Sequence, residues 1–298
     1  MHHTFLVVSD IHYRLDNVEK LKKWLIQKDR LKDINSIIIS GDFVNADYIT
    51  PLTTEKDKKE FRELLSVFEK FGKPLYYVPG NHDPDTTFLP SSSSDEEKKD
   101  EILNSINFHQ KVIQISSGLS IVGFGGSTDA VWKNQPETVV WPAFPQNTES
   151  LLTEKLPILL DQIKEDDIIL ITHVGPSKVG TTDVDIFPSK EPSTAIEAGS
   201  PILRKILESR TSTPENQLNY NIAINIHGHS HYPFGLSHIG QTMVINPGPF
   251  CDGRFAILTL SQLDKEILLQ RDKERMNYYK NSNKSNFWVM EGLEFFFV

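Results

Sequence analysis

The sequence predicts an α/β protein built on a parallel sheet, and three observations carry that expectation. Strand-length apolar runs alternate with stretches of helical period through the first third of the chain. Most of those runs stop at a short motif of Gly, Asp, Asn and His rather than at a hairpin turn. A second group of strand-like runs, Asn221–Ile226, Thr242–Asn246, Phe255–Leu260 and Ile267–Gln270, predicts a second sheet.

The first run, Thr4–Ser9, is apolar and ends at Asp10. Val18–Gln27 then sets Val18, Leu21, Trp24 and Leu25 at helical spacing. Ser36–Ser40 is apolar without alternation, as a strand covered on both faces must be, and it ends at Gly41-Asp42. Glu55–Phe71 places Phe61, Leu64, Leu65 and Phe68 on one helical face, and Leu75–Val78 is a third strand stopped by Pro79-Gly80. This β-α-β-α-β alternation implies parallel strands with covering helices, and sheets of that kind bind ligands beyond the carboxyl ends of their strands.

Pro84–Asp100, with its prolines, serine run and charged end, reads as a loop, or a loop leading into a charged helix. Lys111–Ile115 and Leu119–Gly123 are expected to pair as a hairpin closed by Gly125-Gly126. Thr128–Gln146 carries Trp132, Trp141 and Phe144 between prolines and is expected to be an ordered rim loop. Leu151–Lys164 is a helix, Asp167–Thr172 a buried strand, and Gly175–Ser200 a long loop; Ser200-Pro201 then opens a helix, with Ser at the N-cap and Pro in the first turn. The tail, Phe287–Val298, is rich in aromatics to its end and would be sticky if exposed. The chain is therefore expected to be one domain over 1–298, with segment 274–298 docked as a strap or strand.

With 31 basic against 40 acidic residues the net charge is −9. Lys and Arg are scattered, so the field repels a polyanion; no duplex nucleic acid is expected, and a small phosphorylated substrate is favoured. The lone cysteine, Cys251, rules out an internal disulfide framework. No apolar run is long enough to span a bilayer, and Met1-His2-His3-Thr4 leads directly into the first strand without a basic or apolar leader. A cytoplasmic location and no membrane association are the expectation.

Five motifs carry the chemistry: Asp10-Ile11-His12, Gly41-Asp42, Gly80-Asn81-His82-Asp83, Thr172-His173 and Gly228-His229-Ser230-His231. Each follows an apolar run, so all five can gather at one edge of a sheet. Carboxylates, imidazoles and a carboxamide oxygen without thiolates suit two borderline ions such as Mn, Fe or Zn. Asp10 and His12, at i and i+2, are expected to face one side by strand alternation, as are His229 and His231. Gly41 frees the backbone to turn sharply and offer Asp42 to two ions at once. Two such ions make water acidic near neutral pH and bind phosphate oxygens, so only a proton donor for the leaving alcohol is missing. His82, beside a ligand but free itself, is the candidate, with Asp83 to orient it.

Taken singly, Asp10 and Asp42 are better explained as helix caps, and His12 or His173 as surface histidines. The full set is not. His227 falls outside the pattern and is expected to be structural or to support a site residue from behind, His109 and His238 to lie at the surface, and Cys251 to be a spectator.

The ordered set D-x-H, G-D, G-N-H-D, H, G-H-x-H resembles the calcineurin-like metallophosphoesterase superfamily over roughly the first 250 residues. The resemblance implies a four-layer α/β/β/α sandwich. It also implies one ion held by Asp10, His12, Asp42 and His231, a second by Asp42, Asn81, His173 and His229, and His82 as the catalytic histidine. Asn246-Pro247-Gly248 is similar to a stretch often found after the last histidines. Tyr13-Arg14 after His12, and Asn45-Ala46 where an Asp-Arg pair would stand, depart from the Ser/Thr protein phosphatases of that superfamily. The implied activity is metal-dependent hydrolysis of a small phosphomonoester or phosphodiester. The alternatives are a non-catalytic, Vps29-like protein-binding scaffold and a nuclease. The intact ligand set speaks against the first and the acidic charge against the second.

Overall fold

The computed structural model of the protein describes residues 1–47, 49, 53–89, 104–164, 166–185, 195–210, 221–273, 279–280 and 282–298. In chain order the elements are β1 (His2–Val8), α1 (Leu15–Gln27), β2 (Ser36–Ile39), α2 (Glu55–Glu69), β3 (Leu75–Tyr77), β4 (Ser105–Asn107), β5 (Lys111–Ser116), β6 (Leu119–Phe124), β7 (Ala130–Trp132) and β8 (Gln135–Trp141). They continue with α3 (Thr148–Asp161), β9 (Asp167–Thr172), β10 (Asp183–Asp185), β11 (Ala195–Glu197), α4 (Pro201–Arg210), β12 (Asn221–Ile226), β13 (Gly235–Ile239), β14 (Thr242–Asn246), β15 (Arg254–Asp264), α5 (Lys265–Arg271) and β16 (Asn286–Phe297).

Two six-stranded sheets, in the orders β16-β15-β1-β2-β3-β4 and β13-β14-β12-β9-β6-β5, make the body. The central strands of each are parallel; antiparallel strands close both edges of the second sheet and the β15-β16 side of the first, whose other edge strand, β4, is parallel to β3. Alternation along β1 shows how the layers form. Leu6 and Val8 point to a core shared with Val18, Leu21 and Leu25 of α1 and Phe61, Leu64 and Phe68 of α2. Phe5 and Val7 point the other way, into a core with Ile121, Ile169, Ile224 and Ile245 of the second sheet. On the far side of that sheet, Val122, Ile168, Leu170 and Val244 meet Leu152, Leu156 and Leu160 of α3 and Leu203 and Leu207 of α4. The order is therefore helices, sheet, sheet, helices, the α/β/β/α sandwich expected. Both sheets are covered on both faces, which is why the strands read as unbroken apolar runs.

Local signals set the helix starts. Thr54 and Asp57 form a capping box at α2. The Leu203 N–H donates to Ser200 Oγ at 3.1 Å, so Ser200 caps α4 as expected. The 111–124 hairpin forms, and β16 runs antiparallel along β15 from Asn286 to Phe297.

Three expectations are corrected. Thr128–Gln146 is not a loop: β7 and β8 pair and join β10 and β11, from the Gly175–Ser200 stretch, in a small four-stranded sheet. Ile267–Gln270 lies in helix α5, where Leu268 is buried against Tyr279 and Phe287; a four-residue apolar run does not distinguish strand from helix. Phe255–Leu260 is a strand, but β15 pairs with β1 in the first sheet, so the last strands divide between the two sheets. The charged run Asp95–Asp100 lies outside the described residues. Among the described residues no helix is long and apolar enough to cross a membrane.

Candidate metal centre

The motif residues sit just past the carboxyl ends of β1, β2 and β3 in one sheet and of β9 and β12 in the other. The two parallel sheets therefore deliver their motifs to a common rim. Hydrogen bonds between the loops fix them to each other: Asp10 N–H donates to Gly41 O at 3.0 Å, and Ile11 N–H to Asp42 O at 2.7 Å.

What aims the candidate ligands is turn geometry rather than strand alternation. Asp10, His12, Asp42 and His229 all have left-handed backbones, with φ of 53°, 47°, 55° and 65°. Such conformations cost a non-glycine residue about 1–3 kcal/mol each and persist where the surroundings enforce them, characteristically at functional sites. The expectation that Asp10 and His12 share a face through a two-residue period is corrected accordingly: β1 ends at Val8, and both residues lie in the turn beyond it. Glycine is required beneath them. A Cβ on Gly80 would collide with the carboxylate and amide of Asp42, and one on Gly228 with Ser9 Oγ.

The donor atoms converge. His12 Nε2 lies 3.3 Å from His231 Nε2, and His231 Nε2 lies 3.4 Å from Asp10 Oδ1. Asp42 Oδ2 is 3.8 Å from His12 Nε2 and 3.4 Å from His173 Nε2, so one carboxylate oxygen faces both halves of the cluster. His173 Nε2 is also 3.0 Å from Asn81 Oδ1, while its Nδ1–H donates to Ser40 O at 2.7 Å. Two overlapping groups, Asp10/His12/His231 and Asp10/Asp42/His173, each have donor atoms within 4.8 Å of one another. His229 joins through its N–H, which donates to both Asp10 oxygens at 3.0 and 3.2 Å, and its ring centroid lies 5.1 Å from that of His173.

Asp10, Asp42 and His173 are almost fully buried, and such charges persist only when paired. Burial works against ionisation of both carboxylates, yet the surrounding histidines hold Asp10 and Asp42 well below the usual carboxylate range. Burial also opposes protonation of His173, but Asp42 outweighs it and lifts the imidazole to about 9. His229, by contrast, is pushed down to about 3 by burial and by the neighbouring His173. The cluster thus draws positive charge into a pocket of nitrogen and oxygen donors, and that donor set fits Mn, Fe or Zn. These residues fit a metal centre.

Around the donors, Asp83 takes its hydrogen bonds from backbone amides. Its Oδ1 accepts from the Phe43 and Val44 amides at 2.7 and 3.2 Å and its Oδ2 from Gly80 at 2.8 Å, so it ties the second and third motif loops together. Burial and the nearby Asp42 raise its carboxyl to about 8. His82 is held through Nδ1, which donates to Ala46 O at 3.1 Å, while its own backbone N–H donates to Asp42 Oδ1 at 2.8 Å.

Two polar side chains contribute that motif spacing did not single out. Asn246 is fully buried and its Nδ2 donates to Ser230 O at 2.7 Å and Pro233 O at 3.2 Å, bracing the last histidine loop. Asn45 bonds His12. The Asn-Pro-Gly triplet signals the first; the departure at 45–46 marks the second. His227 is structural as expected: its ring bonds Thr181 Oγ1 and Gly228 O, both at 2.9 Å, and burial lowers it to about 4. His109 is half-buried rather than exposed: its Nδ1 accepts from Gly125 N–H at 2.9 Å and its ring meets Phe88 and Phe124. Burial pushes the Cys251 thiol up to about 11, which leaves it a poor nucleophile. Trp132 and Trp141 pack with Val140 around Ala130, Ile196 and Ala198, so they hold the small sheet together.

Known proteins are similar to this chain. The family model described as calcineurin-like phosphoesterase matches residues 3–233. The uncharacterized protein MJ1162 of Methanocaldococcus jannaschii is 28% identical over 205 residues, covering 68% of this chain and 79% of its own. Two solved structures share the fold. TT1561 of Thermus thermophilus has a TM-score of 0.54 at 16% identity, over 87% of this chain and 94% of that one. A dimetal phosphatase from Danio rerio has a TM-score of 0.53 at 12% identity, over 86% and 92%.

Proposed function

The chain belongs to the calcineurin-like phosphoesterase family, and from that membership and the geometry of the rim we propose that it is a metal-dependent phosphoesterase hydrolysing a small phosphomonoester or phosphodiester. The observation that carries the proposal is the convergence of Asp10, His12, Asp42, His173 and His231 donor atoms at the meeting of two sheets. In this reading Asp10, His12, Asp42 and His231 hold one ion, and Asp42, Asn81, His173 and His229 the other. When bound, two such ions supply Lewis-acid activation of water and neutralise charge on the phosphoryl oxygens. The chain's own residues do the rest. Asp42 offers one oxygen to both halves of the cluster and anchors the His82 amide with the other. His82, with Nδ1 steadied by Ala46 O, donates a proton from Nε2 to the departing alcohol. Asp83 keeps the two loops in register. The acidic balance favours a small substrate over a nucleic acid, and the single cysteine is compatible with the cytoplasm.

The test is hydrolysis of an aryl phosphate and an aryl phosphodiester, with metal content measured on the same sample. Up to two equivalents of Mn, Fe or Zn per chain should accompany activity, and Asp42→Asn should lose most of both. Two ions retained by Asp42→Asn would remove it from the bridging role; no turnover of either ester by fully loaded protein would remove the hydrolytic reading.

A further inference from the structure

The sequence departs from the protein phosphatase pattern at Asn45-Ala46, and the structure gives Asn45 a task there. Its carboxamide makes two hydrogen bonds to one residue. Nδ2 donates to the backbone oxygen of His12 at 3.1 Å, and Oδ1 lies 2.7 Å from His12 Nδ1. The first bond settles the second. Because the amide nitrogen faces a carbonyl, which only accepts, the amide oxygen must be the atom facing the ring. An amide oxygen cannot donate, so the proton lies on Nδ1 of His12. The neutral ring then carries its lone pair on Nε2, the atom that stands 3.3 Å from His231 Nε2 and 3.8 Å from Asp42 Oδ2.

We propose that Asn45 is a positioning residue that fixes both the tautomer and the plane of His12, so that its Nε2 lone pair is presented to the metal cluster. The inference rests on the two-metal reading above and deepens it by assigning Asn45 to the ion that His12 holds. His12 needs such a holder more than His173 does. His173 is fully buried and donates its Nδ1–H to a backbone oxygen, whereas His12 is in a left-handed turn with a partly exposed ring. A side chain gripping backbone and ring together resists rotation about both the turn and χ1. Partners of this kind, behind a ligating histidine, typically change metal affinity by about 10–100-fold when removed. Asn45 is exposed, and water can replace part of what is lost, so an effect near the lower end of that range is expected.

The test is titration of the metal-stripped full chain with Mn²⁺ alone, followed calorimetrically, for wild type, Asn45→Ala, Asn45→Asp and Asp42→Asn, with thermal melts of each. Asn45→Ala should weaken one of two Mn²⁺ equivalents by about tenfold or more and leave the other unchanged. Asn45→Asp keeps an oxygen for the Nδ1–H and should restore that equivalent. Wild-type affinity at both equivalents in Asn45→Ala would overturn the inference. Equal weakening of both with a lowered melting temperature would overturn it too, since that is the signature of a merely structural residue. Asp42→Asn separates the two levels: if it loses both ions while Asn45→Ala keeps them, the two-metal reading stands and the role of Asn45 does not. A wild-type chain without a Mn²⁺ site would sink both.

Discussion

Removing the His82 side chain should separate proton donation from metal binding. The ring gives up the hydrogen bond from Nδ1 to Ala46 O at 3.1 Å and is only partly buried, so the folding cost of His82→Ala is on the scale of one hydrogen bond, about 1 kcal/mol. A positioned general acid contributes about 10²–10⁴-fold, or roughly 2.7–5.5 kcal/mol of barrier. The catalytic term is the larger, and activity should fall while metal content and thermal stability stay close to wild type. Leaving-group dependence tests the assignment. With an alkyl phosphate, whose alkoxide needs a proton, kcat/KM should fall by about 10²–10⁴-fold. With a nitrophenyl ester, whose anion leaves unaided, the fall should be less than about tenfold. Equal losses for the two esters, at unchanged metal content, would refute the role of His82 as acid and make it a substrate-binding group instead.

Two further predictions concern regions away from the metal donors. Asp167 is buried at the start of β9, with Lys284 Nζ 2.7 Å from its Oδ1 and the Trp288 N–H donating to Oδ2 at 2.7 Å, so the segment leading into β16 is tied to the second sheet. Lys284→Ala leaves that carboxylate buried without its cation and should cost about 3 kcal/mol in denaturant unfolding, the lower end for a broken buried pair because the amide bond remains; a loss below about 1 kcal/mol would show that the pair does not hold the segment. His109 accepts a hydrogen bond from Gly125 N–H, and burial lowers its pKa from 6.5 to about 4. The unfolded chain therefore binds the proton first as pH falls. Its contribution to stability is present above pH 6.5 and is lost progressively toward pH 4, on the order of 3 kcal/mol in all. His109→Gln should flatten stability against pH in that window, and an unchanged slope would argue that the imidazole is already solvated.

Much of this architecture is written in hydrophobic period. The runs at 36–40 and 167–172 read as strands buried on both faces, and that is what two sheets covered by helices produce. The elements that depart from expectation are those whose local pattern is short or shared between states. Ile267–Gln270 has too few residues for its period to separate helix from strand, and its burial against Tyr279 and Phe287 decides for helix α5. Phe255–Leu260 is a strand by any local measure, but which sheet it joins depends on pairing with β1, at the opposite end of the chain. In the candidate site the convergence of the motif side chains was legible because each motif follows a strand, and the glycines beside them because a Cβ has no room at Gly80 or Gly228.

What was not legible is how those side chains are aimed, and the reason is physical. A two-residue period aims side chains only while the chain remains a strand, and β1, β2 and β12 all stop before their donors begin. The donors at 10, 12, 42 and 229 lie in left-handed turns instead. At such positions the residue type gives no warning, since the backbone is held by bonds from other loops: Gly41 O and Asp42 O to the first motif, and the Asp10 carboxylate to the amide of His229. Asp83 shows the same logic from the other side. Adjacency to His82 in sequence suggests a partner for that imidazole and says nothing of the amides of Phe43, Val44 and Gly80, from which its carboxylate accepts hydrogen bonds. The strain of these turns is therefore borne by cross-loop hydrogen bonds, and substitutions at Asp83 or Asn246, which bond to the backbone of the motif loops, act on the same geometry as substitutions of the candidate donors themselves.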